Sequence, residues 1–219
     1  MNLGIFLMPL SPPGRTMGQV MDEVTRKALL LDTVGFDEFW LGEHFSATSE
    51  AIPSPLMFMA SLLPQTRNLT FGTGVISLPN RHPAVIGAEV AQFDQMAKGR
   101  FRFGIGTGSL PSDWELFQLE DEPTRRRMML ESLTMMQAIW KQRPPYAFDG
   151  EFWKFGITKN IHPELQMGIL PQHEPVLALL ADSLVRNNAV VPGVTSLIRW
   201  QSHWHVVRQS WPFFQNDFA

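Results

Sequence analysis

Two groups of residues in this chain have types and spacing suited to chemistry. The first is Glu43-His44 in the segment WLGEHF. An unperturbed imidazole titrates near ~6.5, so a histidine at this position suits proton transfer at neutral pH. A non-catalytic histidine that only caps the end of a strand is the alternative. If the strand pleat continues, Glu43 points to the opposite side. It is then expected to hydrogen-bond loop backbone and fix the strand end rather than act as an acid or base. The second group is the glycine-rich run Gly104-Ile105-Gly106-Thr107-Gly108-Ser109. Its backbone amides, with the Thr107 and Ser109 hydroxyls, can form a nest for an anionic or hydroxyl-rich ligand. The run is not a dinucleotide fingerprint, because its spacing is not G-x-G-x-x-G and it does not follow a first strand. With no cysteine in the chain, disulfides, thiolate metal sites and a cysteine nucleophile are excluded, and no metal site is expected.

The elements that must position these groups alternate. Residues 3–9 (LGIFLMP) form a short apolar run, as expected of a parallel strand buried on both faces. Thr16 and Gln19 make a capping box, and Val20, Val24, Ala28 and Leu31 share a helical face until Gly35. The second strand, 37–44, ends in the Glu-His pair. Ser54-Pro55 opens a short helix that Pro64 ends. Strand three is 69–78. His82, as an N-cap before Pro83, starts a helix with Ile86, Val90, Phe93 and Ala97 inward, closed by Lys98-Gly99. Strand four is 100–109. A loop then leads to a helix around 124–141 with Met129, Leu133, Met136 and Trp140 inward, and 146–155 reads as a hairpin around Asp149-Gly150.

Such alternation argues for a parallel sheet with crossover helices, without separating an open doubly wound sheet from a closed barrel. In both, chemistry gathers at the C-terminal ends of the strands, where Glu43-His44, Gly74-Val75 and the glycine-rich run all fall. Met8, Met57, Met59, Met128, Met129, Met135 and Met136 are expected to fill core gaps. Arg125, Arg126 and Arg127 lie near a helix N-terminus, where the dipole disfavours them. They are expected on a solvated face or subunit contact, with an anion site as the lesser option.

Length and charge bound the rest. A chain of 219 residues holds one domain with a sizeable core. A net charge of −3 gives no footprint for nucleic acid or an anionic membrane. The N-terminus lacks a basic signal region, and no segment approaches the ~20 apolar residues that span a bilayer. A cytoplasmic protein is expected.

The stretch GTGVISLPNRHPAVIGAEVAQFDQMAKGRFRFGIGTGSLPSDWELFQ (72–118) resembles the most recognisable block of the bacterial luciferase-like flavin-dependent monooxygenases, and WLGEHF resembles their strand-two ending. The resemblance covers roughly residues 1–165 and is nearest in style to the limonene- and alkanal-type branch. It implies an α/β fold of (β/α)8 TIM-barrel type, here with about the first five to six units. Residues 1–170 are then the N-terminal portion of the barrel. Residues 171–219 form a divergent tail, read as truncated or frame-disrupted, because such barrels take ~250 residues. The aromatic load of that tail, from Trp200 to Phe218, leads us to expect uncovered apolar surface.

The resemblance also implies a reaction. One oxygen atom of O2 is inserted into a small apolar substrate, with reduced FMN as cosubstrate. A separate reductase supplies it, since no nicotinamide motif is visible. His44 is then the proton-relay residue. A non-proline cis peptide is implied at Gly74-Val75, forming a bulge that backs the isoalloxazine ring; the alternative is that Gly74 merely relieves crowding in a barrel strand. Gly106, Thr107 and Ser109 would cradle the flavin phosphate or ribityl chain. Ser183, at the tip of an expected fifth strand (174–183), would help bind the phosphate. Thr107 stands where luciferases carry arginine, which removes a bidentate phosphate contact. A homo-oligomer is expected. Deazaflavin-dependent hydride transfer and a non-catalytic family remnant are the alternatives.

Overall fold

The capping signals act where the sequence places them. In a computed structural model, which describes residues 3–8 and 10–168, Thr16 and Gln19 cap each other reciprocally and open helix α1, Met17–Val34. Gly35 ends it in the left-handed region at φ 86°. His82 Nδ1 accepts the amide of Ala84 at 3.2 Å and opens α3, Pro83–Ala97. Helix α2 is Pro55–Leu62. The parallel strands are β1 Gly4–Leu7, β2 Glu38–Leu41, β3 Thr70–Thr73 and β5 Phe101–Arg102, paired in the order β1-β2-β3-β5. Two short strands, β4 Ile76–Ser77 and β6 Ile105–Gly106, continue β3 and β5 and pair in parallel with each other.

The helices decide between barrel and open sheet. Contacts run α1 with α2, α2 with α3, and α3 with α5 (Glu122–Lys141), so they follow the strands in sequence order. Right-handed crossovers between consecutive neighbours keep all the helices on one face. That is the layout of a TIM-type barrel wall; a doubly wound sheet reverses its strand order and covers both faces. Phe39, Leu41, Phe71, Phe101, Met59, Leu62, Ile86 and Met136 are fully buried. Met129, Leu133, Met136 and Trp140 all lie buried along α5. The hairpin is β7 Tyr146–Asp149 with β8 Lys154–Ile157. Among the described residues no helix is long and apolar enough to cross a membrane.

Several expectations are corrected. Strands three and four are not continuous. Strand three breaks at Gly74–Val75, where the peptide bond is cis. Strand four breaks between Arg102 and Ile105. There the Thr73 hydroxyl donates to the Gly104 carbonyl at 2.8 Å and accepts the Gly104 amide at 2.9 Å, so a side chain replaces the ladder. The first strand is not buried on both faces: β1 is an edge of the described sheet and Phe6 is 49% exposed. The loop after strand four contains a further helix, α4, Pro111–Leu116. Met57 is 76% exposed and fills no core gap, because its position on α2 faces away from the sheet side taken by Phe58, Met59 and Leu62. Arg125 is not on a solvated face; it is buried, for reasons given below. The expected fifth strand, Ser183 and the aromatic tail lie outside the described residues.

Where the strands end, glycines make room for the rings and backbone of their neighbours. A Cβ on Gly72 would stand 2.3 Å from the Trp40 ring, and one on Gly104 would stand 2.1 Å from the Thr73 carbonyl oxygen. The second neighbour is backbone and cannot swing aside. Gly104→Ala is therefore expected to cost about 3 kcal/mol, the upper end for overpacking, measured by urea denaturation. An unchanged midpoint would mean that β3 and β5 can separate at no cost.

Candidate active site

His44 lies just beyond β2, where the pleat sends Glu43 and His44 in opposite directions. Glu43 is 5% exposed and ties two strand ends together: it accepts the Ser77 amide at 2.9 Å and pairs with Arg81 at 2.7 Å. This is the strand-fixing role expected from its position. Burial raises its carboxyl above the usual range, against the pull of Arg81 and the Ser77 amide, with Asp113 adding to the rise. Arg81 also lies over the Phe45 ring at 5.3 Å and reaches Glu89 at 3.7 Å.

On the other side, His44 sits between two carboxylates. Its Nδ1 is 3.1 Å from Asp113 Oδ2, and its Nε2 is 3.7 Å from Glu50 Oε2. Asp113 comes from α4. Burial opposes its ionisation, but the Ser46 hydroxyl, His44, and the amides of Ser46 and Phe45 together hold its pKa below the ordinary aspartate value. An ionised carboxylate only accepts, so Asp113 fixes the ring with hydrogen on Nδ1 and leaves Nε2 facing Glu50.

The next residue of α4, Trp114, faces the glycine-rich turn. Gly108 has φ 81°, and a Cβ there would stand 3.3 Å from Ser77 Oγ and 3.6 Å from Trp114 Nε1. Trp114 Nε1 is buried without a hydrogen-bond partner. Behind it lies Arg125, 2% exposed, with its guanidinium 3.9 Å from the indole centroid. Arg125 Nη1 donates to the carbonyls of Leu119 and Glu120 at 2.7 Å each, which offsets the unfavourable helix dipole and draws the residue inward. Its Nε has no partner. Arg126 and Arg127 are exposed, as expected, and Arg127 pairs with Glu151.

The bulge between β3 and β4 completes the end of the sheet. The Gly74 amide donates to the Leu41 carbonyl at 2.8 Å, and the Ile76 amide to Gly104 at 2.9 Å. A Cβ on Gly42 would lie 3.3 Å from the Gly74 carbonyl, and one on Gly74 would lie 2.7 Å from the Phe6 ring. His44, Gly74–Val75 and the turn Gly106–Ser109 thus occupy one contiguous end, with α4 reaching both His44 and the turn. Gly106 is buried within β6, Thr107 is half-buried with its hydroxyl 3.4 Å from the Gly108 carbonyl, and Ser109 is exposed. Ser183 cannot be placed, being outside the described residues.

Asp113, Glu50 and Trp114 carry no expectation of a site role from the sequence, whereas Arg125 falls in the arginine run for which an anion site is the lesser option. A signal for α4 exists in Pro111, which stands at the first helical position with Asp113 two residues on. Nothing local marks Glu50.

Comparison with known proteins gives the following. The sequence profile of the luciferase-like monooxygenases matches residues 1–179. The 4-hydroxyprotoasukamycin monooxygenase of Streptomyces nodosus subsp. asukaensis is 39% identical over 138 residues, 63% of this chain and 37% of that protein. The limonene 1,2-monooxygenase of Rhodococcus erythropolis is 41% identical over 98 residues, 45% of this chain and 25% of that protein. Among solved structures, the oxygenating constituent of 3,6-diketocamphane monooxygenase from Pseudomonas putida, a type II Baeyer-Villiger monooxygenase in complex with FMN, superposes with a TM-score of 0.73. It is 30% identical and covers 80% of this chain and 49% of that one. The chain thus spans half or less of the length of these relatives.

Proposed function

Because the chain belongs to the luciferase-like monooxygenase family, we propose that it is the flavin-binding, oxygen-transferring part of an FMN-dependent monooxygenase acting on a small apolar organic substrate. The observation that carries this reading is the meeting of a carboxylate-held His44, the backbone at Gly74–Val75 and the glycine-rich turn at one end of the sheet. The residues fit the cofactor. A planar ring can approach the backbone at Gly74–Val75 beside the Phe6 ring, which already packs against Gly74. A phosphate fits beside Gly106, Thr107 and Ser109, where the buried Trp114 N–H has no hydrogen-bond partner. Bound reduced flavin supplies the electrons that activate dioxygen for transfer of one oxygen atom.

The chain's own residues do the remainder. His44 Nε2 takes or gives a proton at the reacting centre while Asp113 holds the ring. Phe6 and Leu10, 49% and 68% exposed, give the mouth apolar surface for the substrate. Reduced flavin comes from a separate reductase.

The test is anaerobic titration with oxidised and reduced FMN, followed by admission of dioxygen. Binding of reduced FMN with subsequent dioxygen uptake is the expected result. Binding of a deazaflavin with hydride transfer and no uptake would move the chain to the other enzymatic reading, and no binding at all would make it a non-catalytic relative. The phosphate position has its own test. Thr107→Arg is expected to tighten FMN about tenfold through one charge-assisted contact and to leave riboflavin unchanged. Equal effects on both ligands would place the phosphate elsewhere.

A further inference from the structure

Glu50 lies six residues beyond His44 in the connection to α2, yet it is firmly placed. Its amide donates to the Ala47 carbonyl at 3.0 Å, and its backbone forms an isolated antiparallel bridge with Leu10. The neighbouring Ser49 carbonyl accepts the Ser11 amide at 2.8 Å. The two loops above β1 and β2 are thus joined where Glu50 sits. Its side chain is only 14% exposed, and Oε2 is buried without a hydrogen-bond partner, 3.7 Å from His44 Nε2. A carboxylate oxygen left unsatisfied at such a site is costly unless it has a use.

We propose that Glu50 is the proton-exchanging partner of His44, so that the working unit at the mouth is Asp113–His44–Glu50 and not a lone histidine. This rests on the reading of His44 as the proton-transfer group. Asp113 engages Nδ1, so the only nitrogen that changes its proton is Nε2, which faces Glu50. The exchange is balanced within the pair: the Nε2–H bond of imidazolium breaks as an O–H bond forms on Glu50, giving neutral imidazole and carboxylic acid. At 3.7 Å the two are an ion pair rather than a hydrogen bond. The same Nε2 therefore stays open to a ligand atom and can turn to Glu50 between turnovers.

The electrostatics agree. Burial raises the Glu50 carboxyl above its ordinary range, against the pull of His44 and with Asp113 adding to the rise. Asp113 faces the pair from α4, and the bridge through Leu10 and Ser11 brings only backbone and hydroxyl groups. Arg81 lies beyond the Phe45 ring, engaged with Glu43 and Glu89.

The test needs neither flavin nor turnover. The ring signals of His44, assigned by their loss in His44→Ala, are followed by NMR against pH in the ligand-free chain. A strongly interacting pair titrates in two macroscopic steps. We expect two steps in the unmodified chain. Glu50→Gln, which removes the charge facing Nε2 but leaves Asp113 in place, should lose the step that belongs to the Glu50 pair. Glu50→Asp, which keeps the charge but withdraws it by one methylene, should fall between the two and serves alone if the glutamine variant does not fold. Loss of the two-step curve in Glu50→Gln supports the pairing whatever His44→Ala does to dioxygen uptake. Superimposable curves overturn it, even if His44→Ala abolishes uptake.

Discussion

His44→Ala is expected to lower dioxygen-dependent turnover by about 10²–10⁴-fold, the usual worth of a positioned acid–base group. The dissociation constant for FMN should change by less than about threefold, because the alanine removes no contact to the glycine-rich turn where the phosphate is placed. The asymmetry follows from geometry: the imidazole is held by Asp113 and faces Glu50 at the mouth, while the turn is reached from α4 through Trp114. Stopped-flow oxygen uptake and equilibrium flavin titration read the two effects separately. Equal losses in both would recast His44 as a residue that positions the cofactor.

Arg81→Ala is expected to destabilise the fold by about 3–5 kcal/mol, since it strands the Glu43 carboxylate, 1% exposed in its side chain, in the interior. The penalty has a definite pH dependence. Burial already sets the folded-state pKa of Glu43 above its ordinary value, and removing the guanidinium raises it further. A raised folded pKa means that the native state binds the proton more tightly than the unfolded chain. Stability from this group is full below the ordinary carboxylate range near ~4.3 and is lost as pH climbs through the folded value. The variant should therefore come closest to the unmodified protein in mild acid and fall furthest behind at neutral pH. Urea midpoints at pH 5 and pH 8 decide it; a penalty equal at both would show that Glu43 is rehydrated rather than stranded.

What could be read from residue order was the local part. Thr16 with Gln19, Gly35, His82 before Pro83 and the spacing Met129, Leu133, Met136, Trp140 are signals contained within one or two helical turns, and the elements they mark are present. The break at Gly74–Val75 was indicated only by the family resemblance, and the one in strand four was not legible, because RFRFGIGTGS reads as a single strand. The interruption depends on the Thr73 hydroxyl meeting Gly104 from another strand. Of the proposed Asp113–His44–Glu50 unit, only the histidine was visible. Asp113 reaches it across 69 residues of sequence, and Glu50 sits in a loop with no periodicity to betray its direction. Arg125 was misjudged by a rule that weighs the helix dipole alone. Two carbonyls and an indole face, all from the segment before its helix, outweigh that dipole.

Helix α4 has a consequence for how the chain would be measured. Asp113 and Trp114 are consecutive, and a helix of six residues turns as a single body. One of its side chains is bonded to the imidazole and the other abuts the glycine-rich turn. Charge on the ring and occupancy of the turn are thus expected to be coupled through α4, equally in both directions. A ligand with no titratable group of its own would still bind with a pH-dependent affinity, and the protonation midpoint of the ring would drift as that ligand is added. An affinity taken at one pH is then a single point on a surface, and the slope of that surface measures how stiffly this short helix joins its two ends.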